Sequence, residues 1–243
     1  MTFLGCLIPM GSTCLADSST SQIVTVVTSD WDDSTGTLNA FEFSGNQWKR
    51  VFSDIPVTVG RKGLGWGLGK FTPEFDGPEK REGDKKAPAG IFKIEFAFGR
   101  EENPGLRIPY RRSSPSEVWV DDPKSRLYNQ RVDPAASVRK WEPAQEWNSA
   151  EILLRKDGLY DLVLVVGHNR TPPVAGRGSA IFMHRWSRPG AATIGCTAMS
   201  IENLHLLAAW LEHEKAPILI QVPLAFVGKM AMPDAVRSLL SGE

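Results

Sequence analysis

The chain has 243 residues, 28 Lys+Arg against 28 Asp+Glu, a formal net charge of +0 and 42% hydrophobic residues. Nucleic-acid binding through a basic surface would show as a positive excess, which is missing, and no apolar run reaches the roughly 18–20 residues of a membrane-spanning helix. The length suits one β-rich domain of roughly 200–250 residues, large enough to fold without a disulfide or a metal.

Residues 1–16, MTFLGCLIPMGSTCLA, carry no charge and are followed by the polar run Asp17 to Ser21. Cys14 and Ala16 provide small residues at the −3 and −1 positions of a cleavage site, so this segment is expected to be a secretory signal without its positive n-region. A lipoprotein attached through Cys6 or Cys14 is the weaker alternative. Export to the periplasm or cell envelope would leave a catalytic domain at 17–228 and a tail at 229–243. Cys196 would then be the only thiol, either inertly buried or reactive.

The run Gln22–Thr28 is rich in β-branched residues and predicts a strand. Turn chemistry at Asp32 to Gly36 leads to a second strand over Thr37–Phe43, and Ser44-Gly-Asn46 to a third over Trp48–Val59. The glycine-rich run Gly63 to Lys70 fails as a phosphate loop, because Leu64 and Phe71 stand where Gly and Ser or Thr are required. It predicts a tight backbone loop near a cleft. A charged Gly/Pro loop at 76–90 precedes a strand over Ile91–Phe98. Residues 100–150 show little periodicity, and Arg111-Arg112 and Arg139-Lys140 are expected on the solvated surface. A connection that long is functional or is not truly structureless. Strands follow at Asp161–Val166 and Ser179–Met183, a helix capped by Ser200 at Ile201–Glu214, and a strand over Pro217–Val222.

Of the four histidines, His205 and His213 fall on the helix and are expected at its surface. His168, His184 and Cys196 are zinc-ligand types but lack the short paired spacing of a metal site. Cys196, in Thr193-Ile-Gly-Cys-Thr197, stands out more. A helix N-terminus or a nearby imidazole lowers a thiol below its usual value of about 8.5. Gly195 allows close approach of backbone amides, which suit an oxyanion. His184 ends the Ser179–Met183 strand and is placed to meet the thiol. Nucleophilic cysteine chemistry needs these three parts: thiolate, base and oxyanion donors.

At these residues the sequence resembles the L,D-transpeptidase (YkuD-type) catalytic domain, from about residue 22 to 224, in its exported single-domain branch. The resemblance is carried by Gly63-Leu-Gly-Trp-Gly67, Glu82-Gly-Asp84 with Pro88-Ala-Gly90, Trp147-Asn-Ser-Ala-Glu151, Gly178-Ser-Ala-Ile-Phe-Met-His184, and Thr193-Ile-Gly-Cys196. It implies a mainly β fold, a β-sandwich with a helix following the cysteine. It also implies thioester acyl transfer on peptidoglycan stem peptides, donor and acceptor, with Cys196 as nucleophile and no cofactor or metal. His184 would be general base and then acid, oriented by the Arg185 carbonyl, and amides near Gly195 and Cys196 would hold the oxyanion. Water in place of the amine acceptor would make the protein a carboxypeptidase or amidase. A non-enzymatic wall-binding module would instead keep Cys196 buried and unreactive. Two residues depart from the family pattern. Ile194 stands in place of a His, and Ala198 in place of an Arg that would contact a carboxylate, a role for which Arg177, Arg185 and Arg188 are nearby in sequence.

Overall fold

A computed structural model describes residues 20–70, 75–136 and 146–241. The expected signal at 1–16 and the Arg139-Lys140 pair lie outside the described residues. The fold is mainly β, as the sequence predicts. An antiparallel meander opens the chain, with β1 at Gln22–Thr28, β2 at Thr35–Ser44 and β3 at Gln47–Thr58. β4 (Leu64–Trp66) and β5 (Ala87–Gly99) are parallel partners, and β6 (Tyr110–Arg112) adds to the far end of β5. β10 (Leu162–Val166), β11 (Phe182–Arg185), β12 (Thr197–Met199) and β13 (Ile218–Pro223) complete the sheet. Its order runs β10-β11-β12-β3-β2-β1-β13-β5, and β10 also pairs with β5, so the sheet closes on itself.

Closure creates an inside and an outside, and the alternation of side chains along each strand divides the apolar residues between them. Leu162, Leu164, Val166, Met183 and Met199 join the main core with Ile23, Phe41, Phe92 and Leu219. Val163, Val165 and Phe182 point the other way, into a second core with Phe98, Trp119, Leu153, Tyr160 and Cys196. Both faces of β10 are therefore covered, which is why its sequence is an unbroken apolar run rather than an alternating one. Within the stretch without periodicity, β7 (Val118–Val120), β8 (Arg131–Val132) and β9 (Ala150–Ile152) form a separate three-stranded sheet. Trp119 of β7 stands against Phe182 at 5.0 Å, edge to face.

Several boundaries move from their sequence expectation. The strand predicted to begin at Ile91 begins at Ala87, because Ala87 to Ala89 pair with Leu64 to Trp66. The predicted strand over Ser179–Met183 starts only at Phe182, so His184 lies within it. Ala180, with φ 52°, cannot join a β ladder. Helix α1 spans Ile201–Trp210, with Ser200 accepting the Asn203 N–H as its cap. It stops before the predicted Glu214 because the next backbone amides find other partners: Glu212 N–H donates to Gln22 Oε1, and His213 N–H to the Arg107 carbonyl. Short helices α2 (Leu224–Val227) and α3 (Asp234–Ser241) follow β13. Met230, Met232 and Val236 are buried in the main core, so the segment expected as a tail is packed through its described residues. The Gly63–Lys70 run forms β4 and a following bend whose residues Leu68, Gly69 and Lys70 line a shallow cleft, as expected; this cleft is not the cavity that holds Cys196. No helix among the described residues is long and apolar enough to cross a membrane.

Candidate active site

Cys196 ends the Thr193–Cys196 loop and stands directly before β12, which runs parallel to β11 with Met183 opposite Thr197 and His184 opposite Ala198. Adjacent parallel strands thus deliver Cys196 and His184 to one cavity of about 440 Å³. Trp186, Ala192 and Ile194 line part of this cavity, and Lys80, Glu82, Asp121, Glu151 and Arg155 supply its charge. Three stretches that the sequence resemblance singled out, around Glu82, Glu151 and Gly178–His184, come together here although they are far apart in the chain.

Each ring nitrogen of His184 has a distinct environment. Nδ1 lies 2.7 Å from the Arg185 carbonyl, which can only accept, so Nδ1 carries the hydrogen and Nε2 is left with the basic lone pair. Burial depresses its pKa to about 4, with the Arg185 carbonyl opposing that shift only in part. The imidazole is therefore neutral at physiological pH. Tyr160 packs against it edge-on at 5.4 Å and donates its hydroxyl hydrogen to Glu151 Oε2 at 2.7 Å. Burial raises the Glu151 pKa and lifts Tyr160 well above its ordinary value.

The thiol differs from its sequence expectation. The three residues of β12 stand between Cys196 and α1, so Cys196 is not in the first turn of the helix. Cys196 is 8% exposed, and burial pushes its pKa up to about 12, with the Glu151 carboxyl adding to the rise. The Phe182 N–H opposes it by facing the sulfur. The thiol hydrogen is directed to the Ala180 carbonyl at 3.5 Å, not to His184. The resting pair is thus a neutral thiol and a neutral imidazole, not an ion pair.

The alkylation rate of the free protein is accordingly expected to climb about tenfold per pH unit from pH 6 to 10, because thiolate is a vanishing fraction throughout this range. Iodoacetamide labelling followed by mass spectrometry measures this, and a plateau already reached near pH 7 would show a preformed thiolate instead.

Thr193 ties the loop together. Its hydroxyl donates to the Cys196 carbonyl at 2.6 Å and accepts the Gly195 N–H at 3.1 Å. The Gly195 amide expected to face an oxyanion is therefore engaged within the loop in this conformation. Ile194, which stands where the family has a His, is 72% exposed at the mouth of the cavity. Arg177, Arg185 and Arg188 do not line the cavity; among the described residues its cations are Lys80 and Arg155. Lys80 is 3% exposed and paired with Asp84, and Arg155 is paired with Asp157 and stacked over Tyr160. Neither was singled out in the sequence, since a lone Lys or Arg has no spacing signal.

His168 does not join His184 and Cys196. Its Nδ1 accepts the Leu68 N–H at 3.2 Å and its Nε2 donates to the Arg177 carbonyl at 2.9 Å, which uses both ring nitrogens. Burial depresses its pKa to about 3, and the ring serves as a buried brace between two loops.

Comparison with known proteins places this site in context. The family model YkuD, the L,D-transpeptidase catalytic domain, matches residues 32–220. No curated protein matches the chain. Among solved structures it is similar to the crystal structure of the helical cell shape determining protein Pgp2 from Campylobacter jejuni, at 15% identity and a TM-score of 0.36. That alignment covers 83% of this chain and 47% of the other, so this chain spans about half the length of that relative.

Proposed function

The chain belongs to the YkuD family of L,D-transpeptidase catalytic domains, and from this premise we propose that it is an exported enzyme that cross-links or remodels peptidoglycan through a thioester on Cys196. The observation that carries the reading is the shared cavity of Cys196 and His184, with Nδ1 of the imidazole committed to the Arg185 carbonyl and Nε2 left as the base.

The resting state dictates the order of events. A neutral thiol is a poor nucleophile, so the proton leaves sulfur as the carbon–sulfur bond forms, and His184 Nε2 receives it. A substrate that fills the cavity supplies the reason for the thiol hydrogen to leave the Ala180 carbonyl. Sulfur attacks the carbonyl between the third and fourth stem-peptide residues, and the carbonyl oxygen takes up the negative charge. Backbone amides at Gly195 and Cys196 hold that oxyanion once Thr193 Oγ1 releases the Gly195 N–H. Nε2–H then protonates the departing amine of the terminal D-residue, which leaves an acyl-thioester. An acceptor amine attacks this thioester and loses its proton to Nε2, and the thiol is restored as the new amide forms. Localisation in the periplasm or cell envelope follows from the substrate.

Incubation of residues 17–243 with a disaccharide tetrapeptide tests the reading by product mass. A cross-linked dimer is the expected product. Tripeptide alone would assign the same site to hydrolysis, and unchanged tetrapeptide would overturn the substrate.

A further inference from the structure

The left-handed residue two positions before β11 is also the one that holds the thiol hydrogen. Ala180 has φ 52°, a conformation that a residue with a Cβ adopts only when its surroundings impose it. Its carbonyl accepts the Cys196 S–H at 3.5 Å, and its N–H donates to Asn129 Oδ1 at 3.1 Å. Asn129 is 1% exposed and itself left-handed, at φ 57°. Its side chain uses every bonding position it has. Oδ1 also accepts the Trp119 indole N–H at 2.8 Å, and Nδ2 donates to the carbonyls of His168 and Asn169 at 3.1 and 2.6 Å. Asn169 in turn donates to the carbonyls of Val174 and Gly178 and accepts the Val174 N–H, fixing the loop that leads into Ala180. One buried amide thus joins the small sheet, through β7, to the backbone that aims the sulfur.

We propose that Asn129 is a positioning residue for Cys196, acting through the Ala180 peptide; this rests on the reading of Cys196 as the acylated residue. The Asn129 amide opposes relaxation of Ala180 to an ordinary negative φ. Such relaxation would turn the carbonyl away from the thiol and displace Phe182, two residues on, whose N–H faces the same sulfur. With both backbone groups in place the sulfur has one position beneath the cavity. Without them it has several, only some of which reach a bound carbonyl.

The test uses the domain in its acyl-transfer assay together with the pH profile of thiol alkylation. Asn129→Gly keeps the positive φ accessible and removes the side chain. It is expected to lower kcat ten- to a hundredfold with KM within about twofold, and to shift the pH profile of alkylation, since the two backbone groups that face the sulfur, the Ala180 carbonyl and the Phe182 N–H, both move. Adding Ala180→Gly, which adopts positive φ without strain, is expected to restore at least fivefold of the lost kcat. Trp119→Phe removes only the other donor to Oδ1 and is expected to lower stability while leaving the alkylation profile in place. A purely structural Asn129 would instead lose melting temperature while kcat per folded molecule and the profile stayed at wild-type values, and that result would overturn the proposal. If Asn129→Gly does not fold, Asn129→Ser, whose side chain is too short to hold the Ala180 N–H, is read in the same way: a fall in kcat with KM within about twofold and a shifted profile support the proposal, and wild-type kcat per folded molecule with a wild-type profile overturns it. A thiol profile that moves as expected in a protein that transfers no acyl group would keep the positioning role and reject the enzymatic reading.

Discussion

Replacing Cys196 by Ala is expected to abolish turnover, to below a thousandth of the wild-type rate, while the domain melts within a few degrees of wild type. The two halves of this expectation have different physical origins. Loss of turnover follows because neither Ala nor any neighbouring side chain can form the thioester. Tyr160 and Glu151, the other reactive groups beside the sulfur, are hydrogen-bonded to each other, with both pKa values raised by burial. The small stability change follows from what the sulfur touches. Cys196 sits in the second core with Phe182 and Tyr160, and its removal leaves a void of about one atom and one weak S–H bond unmade. That costs about 1 kcal/mol, which for a domain of this size shifts the melting temperature by roughly 2–4 °C. A transfer assay with a calorimetric scan of the same sample checks both. Turnover that survives the change would remove Cys196 from the chemistry.

The His184→Ala variant is expected to lose about a hundred- to ten-thousandfold in kcat, the range general acid–base catalysis contributes. The accompanying pH behaviour separates this reading from an ion-pair mechanism. Because the buried imidazole titrates at about 4, Nε2 remains an available base down to that pH. Wild-type kcat/KM is therefore expected to hold from neutrality down to about pH 5 and to fall as pH drops through about 4, where Nε2 becomes protonated and can no longer accept the thiol hydrogen. The alkylation profile of the free thiol should change little in His184→Ala, because a neutral ring contributes no charge to stabilise thiolate. An acid limb near the usual histidine value of about 6.5, together with a slower-labelling thiol in the variant, would mean that the imidazolium–thiolate pair is present at rest.

The sequence was most legible where a residue's type and its neighbours suffice. Alternating or continuous apolar runs located β1, β2, β10 and β13, and the Ser200 cap located the start of α1. The family resemblance singled out the stretches around Glu82, Glu151, His184 and Cys196, and the fold brings them to one cavity. What the sequence did not show are properties of the closed sheet. Cys196 precedes a helix in the chain, which suggested a thiol lowered by a helix N-terminus. The intervening Thr197–Met199 is only three residues long, too short for periodicity to reveal it, and becomes β12 because β11 and β3 accept it on either side. That insertion buries the sulfur and reverses the direction of its pKa shift. Ala180 carries no sequence sign of positive φ, and the Asn129 side chain that accepts its N–H lies 51 positions away. Asn129 itself offered a faint signal, as asparagine tolerates left-handed turns. Lys80 and Arg155 gave none, because what places them at the cavity is pairing with Asp84 and Asp157, which sequence spacing does not reveal.

Intact-mass spectrometry of the wild-type domain, quenched in acid within seconds of mixing with a tetrapeptide donor, tests the central claim most directly. The account predicts a mass increase equal to the tripeptide acyl group, located at Cys196 by peptide mapping and missing from Cys196→Ala. Product formation with no adduct at Cys196, or an adduct on another residue, would contradict it.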